Sequence, residues 1–467
     1  MDTVTRSSPG RSQVVSLLGL ALVVACLVRV GECRGYVFSN KPIRRGLTGA
    51  RPSPSPATIL APSLGSAANT TAPSGGSAAN PTAPSGGSAV GFTVFDVTQF
   101  GAQTDEDTDN AIFFIRAWNA ACKSGKPAKL LIPSGTFISS PVVFQGPCNN
   151  TVPMEVEIRG TIQASSDLSS YVSDQWFGFE LIEGLNLRGG IFDGQGNNVW
   201  AMAGCVPGEP CQHLPISLKF SKSKNVYVEG VTSLNSMGFH FAVLMVSNFT
   251  GYRLKISASG DSPNTDGIHI SSSSNINITG SSIATGDDCI GIIQGATNIN
   301  VHDVVCGPGH GISIGSLGKW PDETNVQTVR VTNCTLKGTT NGVRIKSFPG
   351  QRQLVASDIV FSDIIMEDVQ NPVIIDQNYG YHKITKPSSV QIHDVTFKNI
   401  RGTTVSKSGV TLTCSSKYPC QNILLQNVDL EYHGLALAND TAFTSSCVNA
   451  KISVSGTSNP RPCQSTA

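Results

Sequence analysis

A chain of 467 residues has room for two or three ordinary domains, but 47 glycines and a charged fraction of only 14% argue for one long strand-and-turn architecture. A formal net charge of +1 gives no global field for nucleic acid or for a strongly acidic partner, so any recognition of anions has to be local. Thirteen cysteines, spread through the chain with no CxxC pair, argue against a zinc site and fit an oxidising compartment.

In chain order, Arg6 and Arg11 precede an apolar run from Val14 to Val28 that only Ser16 interrupts. Its length, about 15 residues, falls short of the roughly 20 that a membrane span needs, so residues 1–33 read as a secretory signal with no stable membrane insertion. Acceptor Asn-x-Ser/Thr triplets at Asn69, Asn149, Asn248, Asn277, Asn333 and Asn439 agree with secretion, while Pro81 disqualifies Asn80. Residues 34–91 are rich in Pro, Ser, Gly and Ala, and Thr71-Ala-Pro-Ser-Gly-Gly-Ser-Ala is repeated from Thr82. So little apolar surface cannot offset the entropy of ordering, and this stretch reads as a flexible linker.

From Phe92 onward the pattern predicts an all-β fold, a parallel β-helix spanning 92–467. Asn110 to Cys122 has apolar residues at helical spacing after an acidic stretch, which suits a helix capping the first coil. Short alternating segments then recur, anchored at Val156, Leu185, Val226, Phe249, Ile276, Ile299, Val329, Ile359, Val390 and Ile423, mostly about 23 to 33 residues apart. A propeller would need a steadier period of about 40 to 45 residues. Sequence proximity suggests pairing Cys205 with Cys211, Cys289 with Cys306, Cys414 with Cys420 and Cys447 with Cys463, although spacing alone leaves connectivity open.

Four phrases align within this repeat: Asp266-Gly-Ile-His-Ile, Asp288-Cys-Ile-Gly-Ile, His310-Gly-Ile-Ser-Ile and Asn341-Gly-Val-Arg-Ile. If each marks one coil, their starts stack about 4.8 Å apart and bring Asp266, Asp287, Asp288 and His310 into one patch, with Arg344 and Lys346 one coil below. The third and fifth positions of every phrase are apolar and define the core stacks. His269, Ser313, Arg344 and Lys346 must then face outward into solvent. Strict alternation would turn Asp266, Asp288 and His310 inward, so these three are expected in the turn before each strand, where the pleat need not hold. A single Asp or Asn in such a turn commonly just hydrogen-bonds nearby backbone, and a lone histidine there is commonly structural. Three crowded carboxylates are harder to explain that way, because like charges repel and raise one another's pKa. Gly309 and Gly311 on either side of His310 suggest room for a ligand against the backbone.

Asn264-Thr-Asp, Gly286-Asp-Asp-Cys, Gly309-His-Gly and Arg344-Ile-Lys, in that order, resemble the four signature motifs of the polygalacturonases. These are pectin-cleaving glycoside hydrolases built as right-handed parallel β-helices, and the likeness, in its plant-type form, runs from about Phe92 to the C-terminal cysteines. The resemblance implies inverting hydrolysis of α-1,4 galacturonosidic linkages by a secreted cell-wall enzyme, monomeric and without metal or cofactor. It implies Asp287 as the acid that protonates the leaving oxygen, Asp266 and Asp288 as the pair that holds and activates water, and His310 as a support for the acid. Arg344 and Lys346 would bind the sugar carboxylate, and Asn264 and Tyr379 would line subsites. Many plant members carry a cysteine after that tyrosine, where this chain has Gly380, so one family disulfide is expected to be missing. Exo action is favoured over endo by similarity around Cys414 to Cys420. The rival readings are a calcium-dependent β-helix pectate lyase and a non-catalytic pectin-binding wall protein.

Overall fold

The structure is a computed structural model that describes residues 91–203, 213–350, 352–380, 386–434 and 442–464. The expected signal segment, the expected linker up to its last residue, the Cys205 and Cys211 pair and the acceptors Asn69 and Asn439 lie outside the described residues.

From Thr93 onward the chain winds into a parallel β-helix. Alternating segments too short to close a sheet alone pair with the equivalent segment of the next coil. Phe241, Ile268, Ile290, Ile312, Val343 and Val373 occupy one register position in successive coils, all fully buried or nearly so. They belong to an eleven-stranded parallel sheet that runs from Val142–Gln145 to Thr444–Val448. A second, larger parallel sheet forms the rest of the coil wall. The parallel connections take the right-handed course that strand twist favours.

Sequence dictates where the coil turns its corners. Leu354–Val369 is a single strand of 16 residues, interrupted at Asp358, Asp363 and Asp368, whose φ angles are 55°, 57° and 53°. Apolar pairs fill the intervals: Leu354 and Ala356, Ile359 and Phe361, Ile364 and Met366. Each left-handed residue breaks the alternation by one position, so the next apolar pair again faces the core. Most L-residues lose about 1–2 kcal/mol in that conformation, and Asn and Asp tolerate it best. Stacked corners also bond to one another, as Asn399 Nδ2 does to Asp363 Oδ1 at 2.8 Å and Asn427 Nδ2 to Asn399 Oδ1 at 3.0 Å.

The same device corrects one of the expected anchors, Val390, while another, Val156, is offset without it. Leu185, Val226, Phe249, Ile276, Ile299, Val329 and Ile359 do share one ladder. Ile359 and Ile423, however, both pair with Val395, while Val390 pairs with Leu354, because the corner at Asp394 separates Val390 from the anchor position. Val156 pairs with Leu187, two residues past the expected partner.

The expected cap is the helix Ala111–Cys122. Asp109 Oδ1 accepts from Ala111 N at 3.1 Å and from Ser140 N at 2.9 Å, joining the start of the helix to the first coil. Phe114, Ala117, Trp118 and Ala121 are buried, and Trp118 stacks on Phe144 with centroids 4.7 Å apart. Each large ring buried in this way contributes about 2–3 kcal/mol, and the helix covers apolar surface that no further coil would cover.

Three of the suggested disulfides are present, Cys289–Cys306, Cys414–Cys420 and Cys447–Cys463, together with Cys122–Cys148, which spacing did not suggest. Cys334 remains a thiol, and burial pushes its pKa up to about 12, which makes it inert. No helix among the described residues is long and apolar enough to cross a membrane.

Candidate active site

The four aligned phrases stack as their spacing predicts. Their strands are Ile268–Ser271, Ile290–Ile292, Ile312–Leu317 and Asn341–Ser347, consecutive in the eleven-stranded sheet. Asp266, Asp288 and His310 each precede the first strand residue by two positions, in the turn, and their side chains join the outward face. Tight backbone packing makes this possible. A Cβ on Gly286 would lie 2.0 Å from Ser262 O, so only glycine lets the Asp287 turn approach the Asn264 turn. Thr265 Oγ1 accepts from Gly286 N at 3.0 Å and completes the junction. Gly311 likewise faces the Asn341 carbonyl, 2.1 Å from where its Cβ would be. At their own α-carbons, Gly309 and Gly311 therefore give space to neighbouring backbone.

Asp288 lies deepest. Its Oδ1 accepts from Ser313 Oγ at 2.8 Å and Arg344 Nη2 at 2.6 Å, and its Oδ2 accepts from Lys346 Nζ at 2.8 Å. Arg344 Nε also donates to Ser313 Oγ at 2.9 Å. The outward direction of Arg344, Lys346 and Ser313 is as expected, but their exposure is not: Arg344 is 8% exposed, Lys346 6% and Ser313 not at all. The reason is a neighbour from the following coil. Tyr379 lies across both cations, its ring centroid 5.0 Å from Lys346 Nζ and 5.9 Å from Arg344 Cζ.

Asp287 points the other way from the same turn. Its Oδ1 accepts from Asp288 N at 2.8 Å and pairs with His310 Nδ1 at 2.9 Å, and its Oδ2 accepts from Asn264 Nδ2 at 3.2 Å. Burial pushes the Asp287 carboxyl up, but the His310 hydrogen bond and the charges of His310 and Lys346 outweigh it and hold the carboxyl below its ordinary value. The same hydrogen bond raises His310. Asp266 behaves oppositely. Burial, reinforced by the negative charges of Asp287 and Asp288, pushes it up to about 6 against the opposing hydrogen bond from His269. The two carboxyls are driven apart, Asp266 upward and Asp287 downward.

Parity places His269 on the outward face and no more, yet its Nδ1 lies 3.1 Å from Asp266 Oδ2 and its ring stacks on Phe239 at 4.5 Å. Parity was the available signal. Lys319 and Trp320 were not singled out either. Glu323, 3% exposed, accepts from the N–H groups of Lys319 and Trp320 at 2.9 and 2.8 Å and shapes this loop. Lys319 Nζ lies between the rings of Trp320 and Phe348, at 4.9 and 5.6 Å, and Phe348 packs edge-on against Tyr379. A row of cations and aromatic rings thus continues outward from Lys346. Two coils beyond Lys346, a hollow of about 280 Å³ is lined by Asn378, Lys386, Thr413 and Asn449 among others.

Asp287, Asp288 and His310 present ligand atoms within 4.8 Å of one another, the spacing of a metal site. The donors do not suit a dication. Both oxygens of Asp288 already serve Arg344 and Lys346, which a dication would have to face, and calcium takes roughly six to eight oxygen ligands.

Residues 122–457 match the family model for glycosyl hydrolases family 28. The chain belongs to this family. Family 28 relatives include an exopolygalacturonase of Arabidopsis thaliana, 45% identical over 73% of this chain and 80% of that protein, and one of Platanus acerifolia, 41% identical over 78% and 96%. Solved structures with the same fold include an endo-xylogalacturonan hydrolase from Aspergillus tubingensis, TM-score 0.66 at 22% identity, covering 78% of this chain and all of that one. A hyperthermoactive exopolygalacturonase from Thermotoga maritima gives a TM-score of 0.65 at 20% identity over 78% and 91%. Membership in family 28 makes the chain a glycoside hydrolase, with the outward carboxylate patch as its candidate active site.

Proposed function

We propose that this chain hydrolyses α-1,4 galacturonosidic linkages of homogalacturonan pectin by single-step, inverting acid-base catalysis. The carrying observation is the convergence, on one outward patch, of two histidine-bonded carboxyls, Asp266 and Asp287, with the Asp288–Arg344–Lys346 cluster under Tyr379. Asp287 donates the proton to the leaving oxygen, Asp266 and Asp288 hold and activate the attacking water, and His310 orients Asp287. An arginine has five N–H donors and a lysine three, so the described contacts leave donors on Arg344 and Lys346 for a uronate carboxylate. Such a ligand brings negative charge and excludes water, and both effects raise Asp287 toward the protonated state its role requires. Asn264 and Tyr379 line the adjoining subsites.

Exo action is the favoured mode, supported by the exopolygalacturonases among the relatives. The protein acts as a secreted cell-wall monomer with a leader in 1–33, a tether in 34–91 and a catalytic β-helix in 92–467. Four disulfides and the exposed acceptors Asn149, Asn248 and Asn333 support that setting.

The test is a product time course on long oligogalacturonides. Monomer from the first minutes is expected. Mixed oligomers would replace exo with endo action. Unsaturated, ultraviolet-absorbing ends that disappear on calcium chelation would make the protein a lyase, and binding without cleavage would make it a wall-binding module.

A further inference from the structure

We propose that His269 is a positioning residue that steers the one proton shared by Asp266 and Asp287 toward Asp287, by hydrogen-bonding the ionised form of Asp266. This rests on the roles proposed above for those two carboxyls. The contact is held from several sides. His269 Nδ1 meets Asp266 Oδ2 at 3.1 Å, and both side chains are largely buried, at 20% and 10% exposure. The imidazole lies flat on Phe239, with 10° between the planes. On the preceding coil the register partner of His269 is Ala242, and on the following coil it is Gly291. A Cβ on Gly291 would stand 3.3 Å from Asp266 Oδ2 and 3.8 Å from His269 Nδ1, so the missing side chain opens the space in which the two groups meet.

The charged groups around Asp266 are few. His269 lies on its own strand, Asp287 and Asp288 on the next coil, and His310, Arg344 and Lys346 beyond them. Two coils back, Lys219 is paired with Asp174 at 2.7 Å. Asp266 is pushed to about 6 while Asp287 is held down, so near pH 5 the pair carries one proton, mostly on Asp266. The competent arrangement, with Asp287 protonated and Asp266 ionised, is the minor one. A donor to ionised Asp266 enlarges that fraction. Deleting the donor raises the proton affinity of Asp266, which shrinks the competent fraction and also delays loss of the pair's last proton to higher pH. His310 is raised by its own bond to Asp287, so the basic limb that belongs to Asp266 is the one that moves when His269 is replaced.

His269→Phe keeps a ring against Phe239 and removes the donor, whereas His269→Asn returns an N–H near the Nδ1 position. In pH profiles of kcat/KM, His269→Phe is expected to lower the maximum about tenfold and move the basic limb up by about one pH unit, since one unit of pKa is a tenfold change in proton occupancy. His269→Asn is expected to recover most of the rate with the limb near its wild-type position. Heat unfolding of each variant establishes that it is folded; if His269→Phe is not, His269→Gln, whose donor sits off the Nδ1 position, carries the same expectation. A rate loss with an unmoved basic limb, no rate loss at all, or His269→Asn behaving like His269→Phe would each overturn the proposal. Full activity in Asp266→Asn would instead overturn the carboxyl roles themselves, so the two failures are distinguishable.

Discussion

Aspartate does two kinds of work in this coil, and the two regions differ little in sequence appearance. At the outer corners Asp394 sits in the left-handed conformation, 51% exposed, accepting from Asn422 at 2.6 Å and paired with His393 at 2.7 Å. Those hydrogen bonds lower its pKa. In the turns before the strands of the eleven-stranded sheet, Asp266, Asp287 and Asp288 are 10%, 19% and 4% exposed at their side chains and share one electrostatic environment. Both sets lie where the alternation of the strand is broken, and in each a carboxylate meets a histidine. The difference is burial together with a neighbouring carboxylate: at the corner each charge answers to solvent, and in the cleft each answers to the others.

The sharpest break in that comparison is a pair of isosteric changes. Asp287→Asn should lower kcat by about a thousandfold or more, the range of a lost general acid, while Asp394→Asn should stay within about twofold of wild type, both read from galacturonate release. Comparable losses in the two would erase the distinction. A smaller effect is expected from Arg344→Lys, which retains charge but loses the fork that reaches Ser313 and Asp288 together. KM for oligogalacturonide should rise about tenfold with kcat less affected, because bidentate geometry is what lysine cannot supply. An unchanged KM would remove Arg344 from carboxylate binding. The smallest effect belongs to the corners. Asn427, with φ of 51° and its side chain bonded to Asn399, should cost about 1 kcal/mol more in unfolding free energy when changed to Ala than when changed to Gly, with activity constant in both.

The chain pattern revealed much of this molecule because a solenoid repeats its physics. Isoleucine parity located Ile268, Ile290, Ile312 and Val343 in one stack, and with them the site residues at the strand entrances. It missed the Val390 to Val395 slip because a left-handed Asp is invisible to a two-residue alternation. It missed Cys122–Cys148 because that bridge joins the cap to a loop across 26 residues rather than closing a short one. It assigned Arg344 and Lys346 to an open face because Tyr379, which covers them, comes from the next coil and a different phrase. Which of the two carboxyls is raised, Asp266 rather than Asp287, was beyond pattern altogether, since it depends on burial and on distances among side chains from three coils.

The site draws on successive rungs, from Phe239 beneath His269 to Arg344 beside Asp288, and each rung touches mainly its immediate neighbours. Folding and chemistry therefore tolerate different edits. An extra full coil between His310 and Asn341 could keep every apolar stack in phase, and the barrel of isoleucines would scarcely notice it. The same insertion would carry Arg344 and Lys346 about 4.8 Å farther from the carboxylate they neutralise, leaving a well-folded coil with a dismembered candidate site. Growth of such a molecule by whole coils is open away from this site and from the helical cap, and closed across these few turns.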